Sequence, residues 1–324
     1  MIAGMRALVL GAVGELPEIG EVAVPRSGKE EVLVRISAAG VNYADTMMRR
    51  GFYLQTPVFP FILGFEFSGE VVDVGPGAKR WRPGDRVMGT GQSAFAEYAV
   101  APEAALMPVP SAFTDEQAAA FPVVYLTAFA MLKISANAQA GETVLVHAAG
   151  GGVGTAAIQL AKHLGLRVIA TASSEEKLAT ARRLGADVTI DYSVADFVPP
   201  VLEATEGRGA DIILESIGGD FLERDIRAAA PFGRVVVFGM ASGTLQPADV
   251  GSMFRNSVSV AAFWMVTLAQ RPERQAQLAG ELLAIVEQAK ITPVIGGVYP
   301  LEKGAEALLA LESRRTIGKL LLKP

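Results

Sequence analysis

The chain has 324 residues, 51% of them hydrophobic and 19% charged, with 34 glycines and a net charge of −5. This composition excludes a disordered, collagenous or disulfide-built chain, and the length suits two domains of about 100–200 residues each. No Lys/Arg run stands out, which argues against nucleic acid as the main partner. The mean hydropathy of +0.34 is high. Even so, the longest charge-free apolar run, Ala118 to Leu132, is too short for a membrane span of about 20 residues and contains Pro122 and Thr127. Met1 to Leu10 lacks the apolar core and cleavage site of a secretory signal. A soluble, cytoplasmic protein with no membrane partner is the expectation.

From Met5 to about Val109 the signals are those of strands. Arg6–Leu10, Glu31–Ala38, Gly69–Val74, Arg86–Gly89 and Ala96–Val100 are valine-rich runs broken by Gly and Pro. Near Thr114 the pattern changes. Asp115 to Leu132 has the apolar density of one buried helix, with Thr114 and Asp115 as candidate N-caps. Strands and helices then alternate through Thr143–Val146, Val153–Leu164, Arg167–Thr171, Ser174–Leu184, Val188–Asp191, Ile212–Glu215 and Arg234–Gly239, with Ser257–Trp264 as a sixth strand. Such alternation predicts a parallel sheet with right-handed crossovers. An amphipathic helix over Pro272–Gln288, a short helix over Glu302–Leu311 and a strand over Lys319–Leu322 break the rhythm and are assigned back to the first domain. The expected borders are 1–122 with 266–324 for one domain and 123–265 for the other.

The sequence contains no cysteine and only two histidines, His147 and His163. Disulfides, thiolate zinc sites and a cysteine nucleophile are excluded, and a histidine triad is hard to assemble. Both histidines are expected to be structural, so the chemistry is expected from a bound cofactor.

The strongest local signal is the run from Val144 to Gly154, an apolar strand leading into a glycine-rich turn that opens a helix. Ala149, Gly151 and Gly154 match the spacing of the dinucleotide fingerprint, with Ala at the first position. Around Gly151, Gly152 and Val153 a bare backbone and the helix N-terminus suit a pyrophosphate. At the end of the second strand, where a carboxylate would bind a ribose 2′-hydroxyl, the chain has Ser173 and Ser174, with Lys177 one turn later. Hydroxyls and a lysine accept a 2′-phosphate that a carboxylate would repel. NADP(H) is therefore the expected coenzyme.

With these motifs in view, the sequence resembles the zinc-free quinone oxidoreductase branch of the medium-chain dehydrogenase/reductase superfamily. The resemblance rests on Ala39–Asp45 with Arg50–Tyr53, on Leu63–Val72 and Gly84–Val87, on His147–Gly154 and on Ser313–Lys319. It implies an α/β protein made of a GroES-like, mainly-β substrate domain and a Rossmann domain with a doubly wound parallel sheet. Where the zinc enzymes of the superfamily carry a cysteine and a histidine as ligands, this chain has Asn42 and Phe65, so no zinc is expected. Hydride transfer without a metal needs an electron-poor acceptor, such as a quinone or an activated double bond.

The resemblance further implies that Asn42 and Asp45 lie beside the nicotinamide and its ribose. Asn42 can hold either a substrate carbonyl oxygen or the coenzyme carboxamide. Tyr53 is a candidate proton donor, and Tyr43, Tyr53, Phe263 and Trp264 are candidates for lining the substrate site. The alternatives are helix capping for Asn42 and Asp45, and a plain wall role for Tyr53. Thr127, Tyr192, Phe238, Gly239, Arg314 and Gly318 are further coenzyme candidates, while the motif gives Arg315 no role. Three readings follow: an NADPH-dependent quinone reductase, an NADPH-dependent reductase of activated C=C bonds in enones, enals or enoyl thioesters, and a non-enzymatic NADPH-binding partner protein. A homodimer through the sixth strand is expected by resemblance. The loops Phe52–Phe61 and Met240–Met253 are expected to carry acceptor specificity.

Overall fold

The computed structural model describes residues 4–54, 57–289 and 291–324. The expected loop Phe52–Phe61 therefore lies partly outside the described residues. The chain divides into two compact units, the first made of Met1–Val124, Ala269–Glu287 and Thr292–Pro324, the second of Tyr125–Leu268 and Gln288–Ile291.

The first unit opens with β1 (Met5–Leu10), β2 (Glu18–Val22) and β3 (Glu31–Val41), then helix α1 (Tyr43–Arg49). The strands β4 (Phe61–Ile62), β5 (Glu66–Val74), β6 (Arg86–Thr90), β7 (Tyr98–Pro102) and β8 (Leu106–Pro108) follow. A three-stranded sheet is ordered β2-β1-β4. Neither α1, β2 nor β8 was expected from the sequence pattern. Leu8, Val34, Phe67, Val71, Val87 and Phe95 form the core on which these strands lie.

The single helix expected over Asp115–Leu132 is in fact two, α2 (Asp115–Ala119) and α3 (Pro122–Ala130), followed by a wide turn over Met131–Ser135. Pro122 is the reason. It has no N–H to continue the first helix but fits the first turn of a new one. At the start of α2, Thr114 and Gln117 cap each other: the Thr114 hydroxyl accepts from the Gln117 N–H at 3.2 Å, and the Gln117 side chain accepts from the Thr114 N–H at 2.9 Å.

The second unit is a six-stranded parallel sheet built from β9 (Thr143–Val146), β10 (Arg167–Ala172), β11 (Val188–Asp191), β12 (Ala210–Glu215), β13 (Ala229–Val237) and β14 (Ser259–Ala262). Their order is β11-β10-β9-β12-β13-β14, the doubly wound pattern with its reversal of strand order between β9 and β12. The helices between them are α4 (Gly152–His163), α5 (Glu175–Arg183), α6 (Val198–Ala204), α7 (Phe221–Ala228) and α8 (Val250–Met253). Strands β9 and β12 are buried along their whole length, as strands covered on both faces must be.

After α9 (Met265–Ala269) and α10 (Pro272–Ala289), the chain supplies β15 (Ile295–Pro300), α11 (Gly304–Glu312) and β16 (Lys319–Lys323). β16 pairs antiparallel with β3, which completes a seven-stranded sheet with the path β15-β16-β3-β5-β6-β8 and β7 also on β3. No helix among the described residues is long and apolar enough to cross a membrane.

Candidate active site

In the second unit, β9 ends at Val146 and the backbone turns through His147, Ala148 and Ala149 into α4, whose N-cap is Gly151. Ala148 is left-handed, with φ 48°. The Ala149 N–H bonds Thr171 O at 3.0 Å, which ties the turn to the end of β10. A Cβ on Gly154 would lie 2.5 Å from Ala148 O, so only glycine lets helix and strand pack this closely. No side chain caps α4 and its first turn holds no acidic residue. The first-turn N–H groups and the positive end of the helix dipole are thus available to a phosphate.

Ser173 and Ser174 are half-buried at the end of β10. Ser174 takes the N-cap position of α5 without a side-chain cap bond. Glu175 turns along the helix to Arg182 at 2.5 Å, and Glu176 is exposed. Lys177 lies across the glycine turn: a Cβ on Gly150 would come within 2.7 Å of its Cγ. Its partial burial lowers the ammonium pKa, against the raising effect of Glu176.

Tyr192 is half-buried, edge-on to Phe221 at 5.5 Å, and its N–H bonds Ala172 O at 3.1 Å. β13 ends at Val237, two residues before the expected end, so Phe238 and Gly239 lie just beyond it. The Phe238 N–H bonds Glu215 O at 2.9 Å. Phe263 and Trp264, expected on a strand, lie past the end of β14 and are half-buried. Thr127 is buried on α3. The turn, Ser173, Tyr192, Phe238 and Phe263 all follow the carboxyl ends of parallel strands, where open α/β sheets bind their ligands.

His147 is fully buried below the turn. Its Nδ1 meets Thr171 Oγ1 and its Nε2 meets Asp225 Oδ1, both at 2.7 Å. Burial pushes the Asp225 carboxyl up, with His147 opposing; burial also raises Glu215. Asp225 Oδ2 and Glu215 Oε2 have no hydrogen bond among the described residues.

The first unit brings Asn42 and Asp45 together at the start of α1. Asn42 is the N-cap of α1 and shares a capping box with Asp45, although its own side chain makes no direct cap hydrogen bond. In that box Asp45 Oδ2 accepts the Asn42 N–H at 2.8 Å, and its Oδ1 accepts the Gly64 N–H at 3.1 Å. Asp45 has no exposed surface. Burial raises its carboxyl to about 7, against the lowering effects of the Asn42 N–H, Lys319 and the Gly64 N–H. The capping alternative weighed for Asp45 is thus its observed setting.

The Asn42 amide is held by two residues that sequence reasoning did not single out, Glu66 and Lys319. Its Nδ2 donates to Glu66 Oε1 at 2.9 Å and to Gly40 O at 3.3 Å, while its Oδ1 accepts from Lys319 Nζ at 2.5 Å. Lys319 also pairs with Glu66 Oε1, and Glu66 Oε2 accepts the Val123 N–H at 2.7 Å. A Cβ on Gly40 would lie 2.6 Å from Glu66 Oε1. Both residues stand inside quoted motifs, but nothing in the linear sequence marks either of them as buried.

Tyr53 is half-buried, 6.1 Å from the Phe65 ring, and Tyr43 is half-buried at the start of α1. Gly318 needs its positive φ of 71°, and a Cβ there would strike Val294 O at 2.4 Å. Arg314 and Arg315 are exposed. No group of three or more His, Asp or Glu among the described residues is placed to hold a metal.

A doubly wound sheet with this turn defines a dinucleotide-binding class of protein. Residues 28–111 match the alcohol dehydrogenase GroES-like domain, and residues 152–283 match the zinc-binding dehydrogenase family. The chain is 39% identical over 300 residues to a quinone oxidoreductase of Pseudomonas aeruginosa, covering 92% of each chain. The crystal structure of a Pseudomonas syringae quinone oxidoreductase matches 99% of this chain and 100% of its own, with a TM-score of 0.93 and 36% identity. That of an Escherichia coli quinone oxidoreductase complexed with NADPH matches the same shares, with a TM-score of 0.91 and 30% identity. The chain belongs to the quinone oxidoreductase family of the medium-chain dehydrogenase/reductase superfamily.

Proposed function

We propose that the protein is an NADPH-dependent quinone oxidoreductase that works without zinc. The observation that carries the coenzyme reading is the Lys177 stem packed on Gly150. It brings the lysine side chain to the glycine turn, which is tied to the strand end before Ser173 and Ser174, while Glu175 is engaged with Arg182. That set favours a 2′-phosphate over a bare ribose. The quinone oxidoreductase relatives, one of them complexed with NADPH, support the same reading. The absence of cysteine from the sequence, with Asn42 and Phe65 at the ligand positions, supports zinc-free chemistry.

NADPH supplies a hydride when bound, and the quinone takes it with a proton from solvent to give the hydroquinone. The task of the chain is binding and orientation. The N–H groups of Gly152, Val153 and Gly154 meet the pyrophosphate, with Ala149 and Gly151 shaping the turn. Ser173, Ser174 and Lys177 hold the 2′-phosphate. Tyr192, Thr127, Phe238, Gly239, Arg314 and Gly318 are the further coenzyme residues of this proposal, and Tyr43, Tyr53, Phe263 and Trp264 its acceptor-lining ones. Asn42 takes part in the reaction directly. Asp45, with no exposed surface and both oxygens on backbone N–H groups, positions it. The open edge of β14 suits pairing with a second copy in a homodimer.

The test is oxidation of NADPH and of NADH against 1,4-benzoquinone and a simple enone. Quinone turnover with NADPH preferred is the expected result. Lys177→Ala should raise the KM for NADPH about tenfold and leave that for NADH unchanged, as loss of a charge-assisted bond predicts. Preference for NADH, or turnover of the enone alone, would overturn the reading.

A further inference from the structure

We propose that Lys319 is a positioning residue that makes Asn42 an acceptor-only group in this reaction. The argument rests on the closed triangle of Lys319, Asn42 and Glu66 and, for its functional consequence, on the reading above. An ammonium carries three donors and no acceptor, and a carboxylate only accepts. The side-chain amide is therefore held in one orientation, with Oδ1 on Lys319 and Nδ2 on Glu66. A flipped amide would set its NH2 against the ammonium and its oxygen against the carboxylate. Burial makes that mismatch severe, since Lys319 and Glu66 are 4% and 0% exposed.

Counting the valences shows what remains. The two Nδ2 hydrogens go to Glu66 Oε1 and Gly40 O. One lone pair of Oδ1 goes to Lys319, which leaves the other. Asn42 thus has nothing to donate to a quinone oxygen. Of the two roles considered for it, stabilising a substrate carbonyl is closed, and accepting from a ligand N–H or O–H is open. The nicotinamide end of a dinucleotide offers such donors in its carboxamide NH2 and ribose hydroxyls.

A double-mutant cycle tests this. Asn42→Ala is combined with Lys319→Met in a Glu66→Gln background, so that the buried ammonium and carboxylate charges are removed together and the fold is spared an unpaired ion. Direct NADPH binding and kcat/KM for quinone reduction are both read. Lys319→Met should cost about tenfold to a hundredfold in kcat/KM when Asn42 is present and nothing further when it is Ala. Lys319→Gln in the same background keeps an N–H donor and should recover most of the loss. An equal cost of Lys319→Met with and without Asn42 would overturn the proposal and leave the coenzyme reading standing. No NADPH binding by the unsubstituted protein would overturn both. The acetylpyridine analogue of NADPH, whose amide NH2 is replaced by methyl, separates the two donor sources. Insensitivity of its binding to Asn42→Ala identifies the carboxamide; retained sensitivity identifies a ribose hydroxyl.

Discussion

Each of the two units buries a pair of carboxylates beside one basic side chain, and the two clusters are completed differently. In the first unit, Asp45 and Glu66 share Lys319, and all four carboxylate oxygens accept a hydrogen bond. In the second, Asp225 and Glu215 share His147, and each leaves one oxygen without a bond. Lys319 bonds both Glu66 and Asn42 and so fixes how those two side chains face each other. In the second cluster burial raises both carboxyls, so that cluster can relieve its charge by taking up protons. The first cluster gives orientation; the second gives tolerance.

The harshest way to break this contrast is Lys319→Met alone. It leaves Glu66 buried without its cation and should cost about 3–5 kcal/mol of stability in urea unfolding. The Lys319→Met/Glu66→Gln pair should lose much less. A single-variant loss near zero would mean that the first cluster adapts as freely as the second.

A gentler probe is pH. The Asp45 carboxyl goes from 3.8 to about 7 on burial, so between those values the folded state binds more protons than the unfolded one. Stability contributed at this site therefore falls as pH rises from about 4 to about 7, by up to about 1.4 kcal/mol per unit. Asp45→Asn, which has no proton to lose, should be less stable than the parent at pH 4 and close the gap by pH 7. A gap of constant size across that range would remove Asp45 from the titrating groups.

The smallest effect belongs to the coenzyme turn above His147. Ala148 holds a left-handed backbone that costs an L-residue about 1 kcal/mol. Ala148→Gly should raise the melting temperature slightly, and a clear drop would show that the methyl group packs usefully there.

What could be read in advance followed the range of the interactions. The Ala149–Gly154 turn is set by neighbours in the chain, so its spacing and its helix were visible in the letters alone. The strand and helix alternation behind it was equally local. Pro122 divided a helix that apolar density had made continuous, because density does not register a missing N–H. Phe263 and Trp264 fell beyond their strand for a related reason: aromatic character marks burial better than it marks an element's end. The triangle was harder. Asn42 and Lys319 are 277 residues apart, and in a linear reading a lysine near the terminal strand is indistinguishable from a surface charge. Only the pairing of β16 with β3 brings it inside.

That pairing has a consequence for the order in which the molecule is made. Strand β3 leaves the ribosome early, yet β16 appears only after the whole parallel sheet has been translated. At roughly 5–20 residues per second the wait is some tens of seconds, during which Asn42 and Glu66 stand without their cation. The nucleotide-binding half has every partner it needs for its sheet by residue 262. It can therefore fold during translation, while the seven-stranded sheet closes only after its last strand has emerged.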